Sequence, residues 1–231
     1  MRIDELNNKD PAMGSWHAVW QVQAFLKKAG YKRLGKGLYS EAWAQPGDDS
    51  IIKISTQEDA CWLRYAKWVM KQPANPHLPR ITSLRTYKTP NGTLFVARVE
   101  KLAEVAHYFE KIEKQIGREK DPKKVGEMLW VGMLAYDELS HLLDSSNIVR
   151  SLARSNIVTL PQFTAMSTRE IIARLLQSAR QTKLAQTVRQ AHNYILKNTM
   201  CFADLHAGNV MMRGDTIVIM DPAAMYLKGS Y

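Results

Sequence analysis

The chain has 231 residues, 45% of them hydrophobic, enough for one substantial core or for two small lobes around a cleft. Its apolar stretches fall well short of the roughly 20 residues that cross a bilayer, and the opening Met1-Arg2-Ile3-Asp4-Glu5 is polar where a signal peptide would be apolar, so a cytoplasmic protein with no membrane partner is expected. Thirty-two Lys and Arg against 22 Asp and Glu give a formal charge of +10, which favours acidic partners: nucleotides, phosphoproteins or nucleic acid. The basic residues are dispersed and no aromatic residues interleave with them, so binding to nucleic acid is compatible with the charge but not required by it.

Residues 1 to 14 are polar and read as a loosely held arm. Ser15 is placed as the cap of a helix with Trp16, Val19, Trp20, Gln23 and Leu26 or Lys27 along one side, closed by Gly30. Tyr31 to Leu34, Leu38 to Ala44 and Ile51 to Ser55 then form an antiparallel meander, separated by Gly35-Lys36-Gly37 and by Pro46-Gly47-Asp48-Asp49. Thr56-Gln57-Glu58-Asp59 has capping-box character and opens a helix to about Lys71, ended by Pro73, Pro76 and Pro79. A hairpin follows, Ile81 to Lys88 and Thr93 to Leu102, turning at Pro90-Asn91-Gly92. From Ala103 to Asn198 the pattern is helical, with a break near Ser151 to Pro161; Glu127 to Leu143 is a strongly apolar helix. Asn209 to Met212 and Thr216 to Met220 close the series as a hairpin around Arg213-Gly214-Asp215. Cys61 and Cys201 are too few and too far apart for a disulfide framework or metal knuckle, and are expected as buried thiols. The histidines lack metal-ligand spacing, and His17, His77, His107, His141 and His192 are expected at the surface or satisfied in the core; Trp16, Trp20, Trp62 and Trp68 are expected to pack.

Three groups of residues carry chemistry. Gly35, Gly37 and Ser40 form a G-x-G-x-x-S turn between two strands, where glycine lets backbone approach a triphosphate; it is not a Walker loop, because no Gly-Lys-Ser/Thr follows. Lys53 stands 16 residues after Gly37 on a strand, on the face opposite Ile52 and Ile54, where it could hold the α- and β-phosphates. From Ala60 to Val99 there is no Asp or Glu, so a carboxylate to orient it can come from the following helix only as Glu58, favoured for reach, or Asp59. Asp204-Leu205-His206-Ala207-Gly208-Asn209 is followed twelve residues after Asn209 by Asp221. The hairpin between them should set Asn209 and Asp221 side by side, able to share one metal ion, with Asp204 one loop away to accept a hydroxyl proton.

With these residues the chain resembles the protein-kinase superfamily from about Tyr31 to Met225. Asp204 matches the catalytic-loop aspartate, Asn209 the metal-binding asparagine and Asp221 the aspartate of Asp-Phe-Gly, here Asp-Pro-Ala. Val99-Glu100-Lys101-Leu102 looks like the hinge, which implies main-chain contacts to adenine at Glu100 and Leu102. The usual His-Arg is replaced by Phe202-Ala203, and His206 stands where eukaryotic-type protein kinases have lysine, as in aminoglycoside and other small-molecule kinases. The segments Gly30 to Gly37 and Phe202 to Asn209, with Asp221-Pro222, are similar to the early serine/threonine kinase of lytic short-tailed bacteriophages. That resemblance implies an α+β, minimal bilobal protein-kinase-like fold: residues 1–30 as arm and helix, 31–102 as nucleotide-binding lobe, 103–231 as a truncated helical lobe. It further implies ATP and Mg2+ as cofactors, and host transcription or RNA-processing proteins, and the chain itself, as substrates in a host bacterial cytoplasm. An activation segment, Ala-Pro-Glu motif and late helices are not found after Asp221, which leaves two competing expectations: an aminoglycoside-kinase-like enzyme for small molecules, and a pseudokinase-like module inhibiting a host enzyme.

Overall fold

The computed structural model describes residues 14–89, 92–104, 114–136, 146–180, 182–197, 200–205, 207–214 and 216–225. The polar arm, the Pro90-Asn91 turn, the second half of the apolar Glu127 to Leu143 helix, His107, His141 and His206 lie outside the described residues, as do the side chains of Ser15, Trp16 and His17. The class is α+β, with an antiparallel sheet and helices followed by a mainly helical stretch and a hairpin. Two compact units divide the chain, one of Met1–Lys101, Tyr194–Ala203 and Ala223–Tyr231, the other of Leu102–Asn193 and Asp204–Pro222.

The first unit is built on strands β1 (Lys32–Lys36), β2 (Ser40–Ala44), β3 (Ser50–Thr56), β4 (Ile81–Thr89) and β5 (Gly92–Glu100), paired antiparallel in the order β1-β2-β3-β5-β4. Alternation along β2 and β3 separates the sheet's faces. Trp43 and Ile54 pack with Leu94 against Val19, Val22 and Leu26 of helix α1 (Gly14–Lys28), a spacing of three and four residues that keeps those three on one side of the helix. Trp20, expected on that packed side, is 52% exposed, because the buried stripe runs through Val22 instead.

Helix α2 (Ala60–Val69) buries Cys61, Trp62, Tyr65, Ala66, Trp68 and Val69. The expected capping box at its start does not form: Asp59 takes the N-cap place with φ −87° and ψ 38°, and its side chain makes no capping hydrogen bond. Beside α2 lies a two-stranded ladder of β7 (Cys201–Ala203) and β10 (Ala223–Met225), with Met225 opposite Cys201. Cys61 and Cys201, expected as thiols, are joined by a disulfide, their Cα atoms 5.9 Å apart across 140 residues. Sequence separation misled here, since folding brings the end of the chain back onto α2. The same helix is gripped further along, where Trp68 stacks on Tyr194 and Arg64 Nε donates to the Tyr194 carbonyl.

In the second unit, β8 (Val210–Arg213) and β9 (Thr216–Ile219) form the expected hairpin, with Gly214 at φ +56° in the turn. A short strand, β6 (Ala103–Glu104), adds to β8 where helix was expected, its residues pairing with Met212 and Met211. The helices described in this unit include α3 (Pro122–Tyr136), α4 (Ser146–Arg154), α5 (Thr168–Ala179) and α6 (Lys183–Ile195), the last continuing into the first unit. Helices α3 and α5 meet at Gly126, where a Cβ would sit 2.1 Å from the Leu175 carbonyl oxygen. Only glycine permits that approach. Ser167 and Glu170 close a reciprocal capping box at the start of α5. No helix among the described residues is long and apolar enough to cross a membrane.

Candidate functional site

In the first unit, Lys53 leaves β3 on the face away from Trp43 and Ile54, opposite Ala42 on one side and Ala97 on the other. Those two small neighbours leave its stem room along the sheet. Its ammonium lies 3.7 Å from Asp59 Oδ2 and 3.9 Å from the centre of the Trp62 ring, with both charged side chains about six-sevenths buried (13% and 15% exposed). Trp62 contributes a cation–π contact and a wall that keeps water from the pair.

The carboxylate set against Lys53 is therefore Asp59, and the preference for Glu58 gives way. Residues 56–59 form a turn, with Asp59 N–H donating to the Thr56 carbonyl, so the helical periodicity used to place Glu58 does not extend back that far. Glu58 instead accepts a hydrogen bond from Gln57 at 3.3 Å.

The glycine turn is closed by Gly37 N–H donating to the Ser40 carbonyl at 2.8 Å. Neither Gly35 nor Gly37 has a left-handed backbone, and a Cβ on Gly35 would meet nothing within 4 Å. Conformation and packing thus leave glycine at position 35 unexplained, whereas close approach of a ligand would explain it. Beneath this turn Glu41 is 2% exposed, and its carboxylate accepts from Gln23 Nε2, Trp43 Nε1 and an Arg33 guanidinium nitrogen. Sequence reasoning passed over Glu41. Its partners come from α1, β1 and β2, and only the folded sheet assembles them.

At the end of β5, Glu100 N–H donates to the Arg80 carbonyl and the Glu100 carboxylate accepts from Arg80 N–H. Lys101 N–H goes to the Asp49 carbonyl. Leu102 begins the other unit.

In the second unit Asp204, Asn209 and Asp221 are brought together. Residues 207–209 form a single 3-10 turn that carries Asn209 back toward Asp204. Asn209 Nδ2 donates to the Asp204 carbonyl at 2.6 Å and to Asp204 Oδ2 at 3.2 Å. The Asn209 carbonyl in turn accepts from Met220 N–H at 2.9 Å and Asp221 N–H at 3.2 Å, so the far end of the hairpin returns to its start. Asp204 N–H donates to the Pro222 carbonyl at 3.0 Å, closing the ring of contacts. With Nδ2 turned toward Asp204, the amide oxygen of Asn209 is the atom that would meet a cation beside Asp221.

Among the described residues no group of three or more His, Cys, Asp and Glu could hold a metal. One amide and two carboxylates are a hard, all-oxygen donor set, which fits Mg2+ bound largely through water and substrate phosphates, and does not fit zinc. His192, half-buried and with its ring satisfied as expected, takes its partner in this region, with Nε2 3.0 Å from the Pro222 carbonyl oxygen.

No protein-family model and no curated protein matches the chain. Among solved structures it is similar to a thermostable mutant of aminoglycoside phosphotransferase APH(4)-Ia in its apo form, at 14% identity over 87% of this chain and 71% of that one, with a TM-score of 0.36. It is likewise similar to such a mutant in ternary complex with AMP-PNP and hygromycin B, at 12% identity over 87% and 70% of the two chains, with a TM-score of 0.32.

Proposed function

We propose that this chain is an ATP- and Mg2+-dependent phosphotransferase of the serine/threonine protein-kinase type found in lytic short-tailed bacteriophages, acting on host proteins and on itself. The observation that carries the reading is the Asp204–Asn209–Asp221 cluster, in which the Asn209 side chain bonds Asp204 and the Asn209 carbonyl accepts from Asp221 N–H, so that the three residues are held next to one another.

The residues then divide the work. Asp204 accepts the proton of the attacking hydroxyl, and the Asn209 amide holds its carboxylate in one orientation. The Asn209 amide oxygen and the Asp221 carboxylate would hold Mg2+, which when bound neutralises charge on the phosphate oxygens. Lys53, oriented by Asp59, holds the α- and β-phosphates while Gly35, Gly37 and Ser40 let main chain lie over them. Main-chain groups of Glu100 and Leu102 would take adenine. Because Glu100 N–H goes to Arg80, its contact would be through the carbonyl.

Radiolabelled ATP tests this directly. Label should enter serine or threonine of protein in the presence of Mg2+ and should fail to do so with Asp204→Asn. Undiminished labelling by that variant would sink the assignment. A second reading follows from His206, the residue type of small-molecule kinases at that position. ATP consumption stimulated by an aminoglycoside panel without protein labelling would favour it. Tight, salt-sensitive binding to a host polymerase with no metal-dependent ATP binding would favour a pseudokinase-like inhibitor instead.

A further inference from the structure

We propose that His192 is a positioning residue, which fixes the Asp221–Pro222 segment against the Asp204 loop through the Pro222 carbonyl. The inference rests on the phosphotransfer reading of that loop. Three hydrogen bonds are among the contacts that locate the two-residue segment: Asp221 N–H to the Asn209 carbonyl, Asp204 N–H to the Pro222 carbonyl, and His192 Nε2 to that same carbonyl. Proline has no N–H of its own, so at Pro222 the chain can be held only through its oxygen. Two of the three bonds come from the Asp204–Asn209 loop itself and would move with it. His192 is different. It stands on α6, outside the loop, and so supplies a fixed reference.

The helix is suited to that role. Leu184, Val188, Ala191 and Ile195 are all buried, at steps of four, three and four residues, so the side of α6 that carries them is seated in packing. His192 follows Ala191 and is itself half-buried. A carbonyl oxygen can only accept, so the proton sits on Nε2 and the ring donates. One carbonyl receiving two N–H donors is drawn to a single place, and Asp221 is bonded directly to the residue that owns it. A side chain on a rigid helix thereby sets where the metal-side carboxylate stands relative to Asp204, without touching substrate.

Two variants of similar length separate this role from simple filling of space. His192→Met keeps volume and removes the donor; His192→Gln keeps an N–H donor. Amide hydrogen exchange at Asp204, read by NMR on the whole chain without nucleotide, should speed up about tenfold in His192→Met and return to near the original rate in His192→Gln, on the scale of one lost hydrogen bond. In phosphotransfer assays kcat should fall about tenfold in the Met variant with KM for ATP within about twofold, and the Gln variant should recover. Unchanged exchange at Asp204 in His192→Met would overturn the proposal, as would a folded Gln variant as impaired as the Met one. A wild-type chain that transfers no phosphate would overturn the enzymatic reading instead, and the exchange measurement would still decide whether His192 holds the segment.

Discussion

The two units hold their acidic residues by different means. In the first, Asp59 is kept in place by a charged partner, Lys53, and by the Trp62 wall, on a helix tied by the Cys61–Cys201 disulfide to the ladder of β7 and β10. In the second, Asp204 and Asp221 are located through main-chain groups, with Asn209 Nδ2 donating to the Asp204 carbonyl and the Asp204 and Asp221 N–H groups donating to the Pro222 and Asn209 carbonyls. Main-chain bonds survive most side-chain substitutions, whereas an ion pair is lost with either partner. The second unit should therefore tolerate change around its carboxylates except at Asn209 and His192, whose side chains bond into the ring, and the first should be sensitive to whatever holds α2.

The sharpest test is Asp204→Asn, which should lower phosphoryl transfer by roughly 10³-fold or more while leaving the melting temperature nearly unchanged, since the main-chain bonds remain. A large loss of stability instead would mean that the carboxylate is structural. Replacing both cysteines by serine comes next. A disulfide closing a loop of 140 residues is worth about 5 kcal/mol by chain entropy, so Tm should fall by about 10–20 °C. An unchanged Tm would remove the covalent tie from the comparison. Lys53→Ala should cost about 10²-fold in kcat/KM and Asp59→Asn about tenfold, with Glu58→Gln near wild type. If Glu58→Gln proves the more damaging of the two carboxylate variants, the pairing is wrong.

For the second unit, Gly126→Ala forces α3 and α5 apart at Leu175 and should destabilise by about 1–3 kcal/mol, visible in urea unfolding. The smallest effect concerns Glu170. The Ser167 hydroxyl and N–H bonded to its carboxylate hold it below the usual carboxylate range. A depressed acid pKa stabilises the fold above its ordinary value of 4.5, and that contribution disappears as pH falls through the lower folded value. Ser167→Ala should lower Tm by about 2–3 °C at neutral pH and by less in acid. An equal drop at both would show that the capping box does not act through that carboxylate.

Local pattern carried much of this. The meander, the second hairpin and the hairpin after Asn209 were legible from alternation and turn residues, because a strand's partners there are its neighbours in sequence. The motif spacing from Asp204 to Asn209 to Asp221 was legible for the same reason, a hairpin returning on itself. Trp20 shows the margin of error, since a helix of this kind offers more than one apolar stripe and only the opposing sheet selects one.

What the sequence determined alone was therefore the class of fold and the order of its longer elements, but not β6 or the ladder of β7 and β10. Tertiary structure decided which of two adjacent carboxylates meets Lys53, that two cysteines 140 residues apart are joined, and that His192 reaches Pro222. These are contacts between distant segments or at a helix start, where periodicity carries no information and packing alone sets distance.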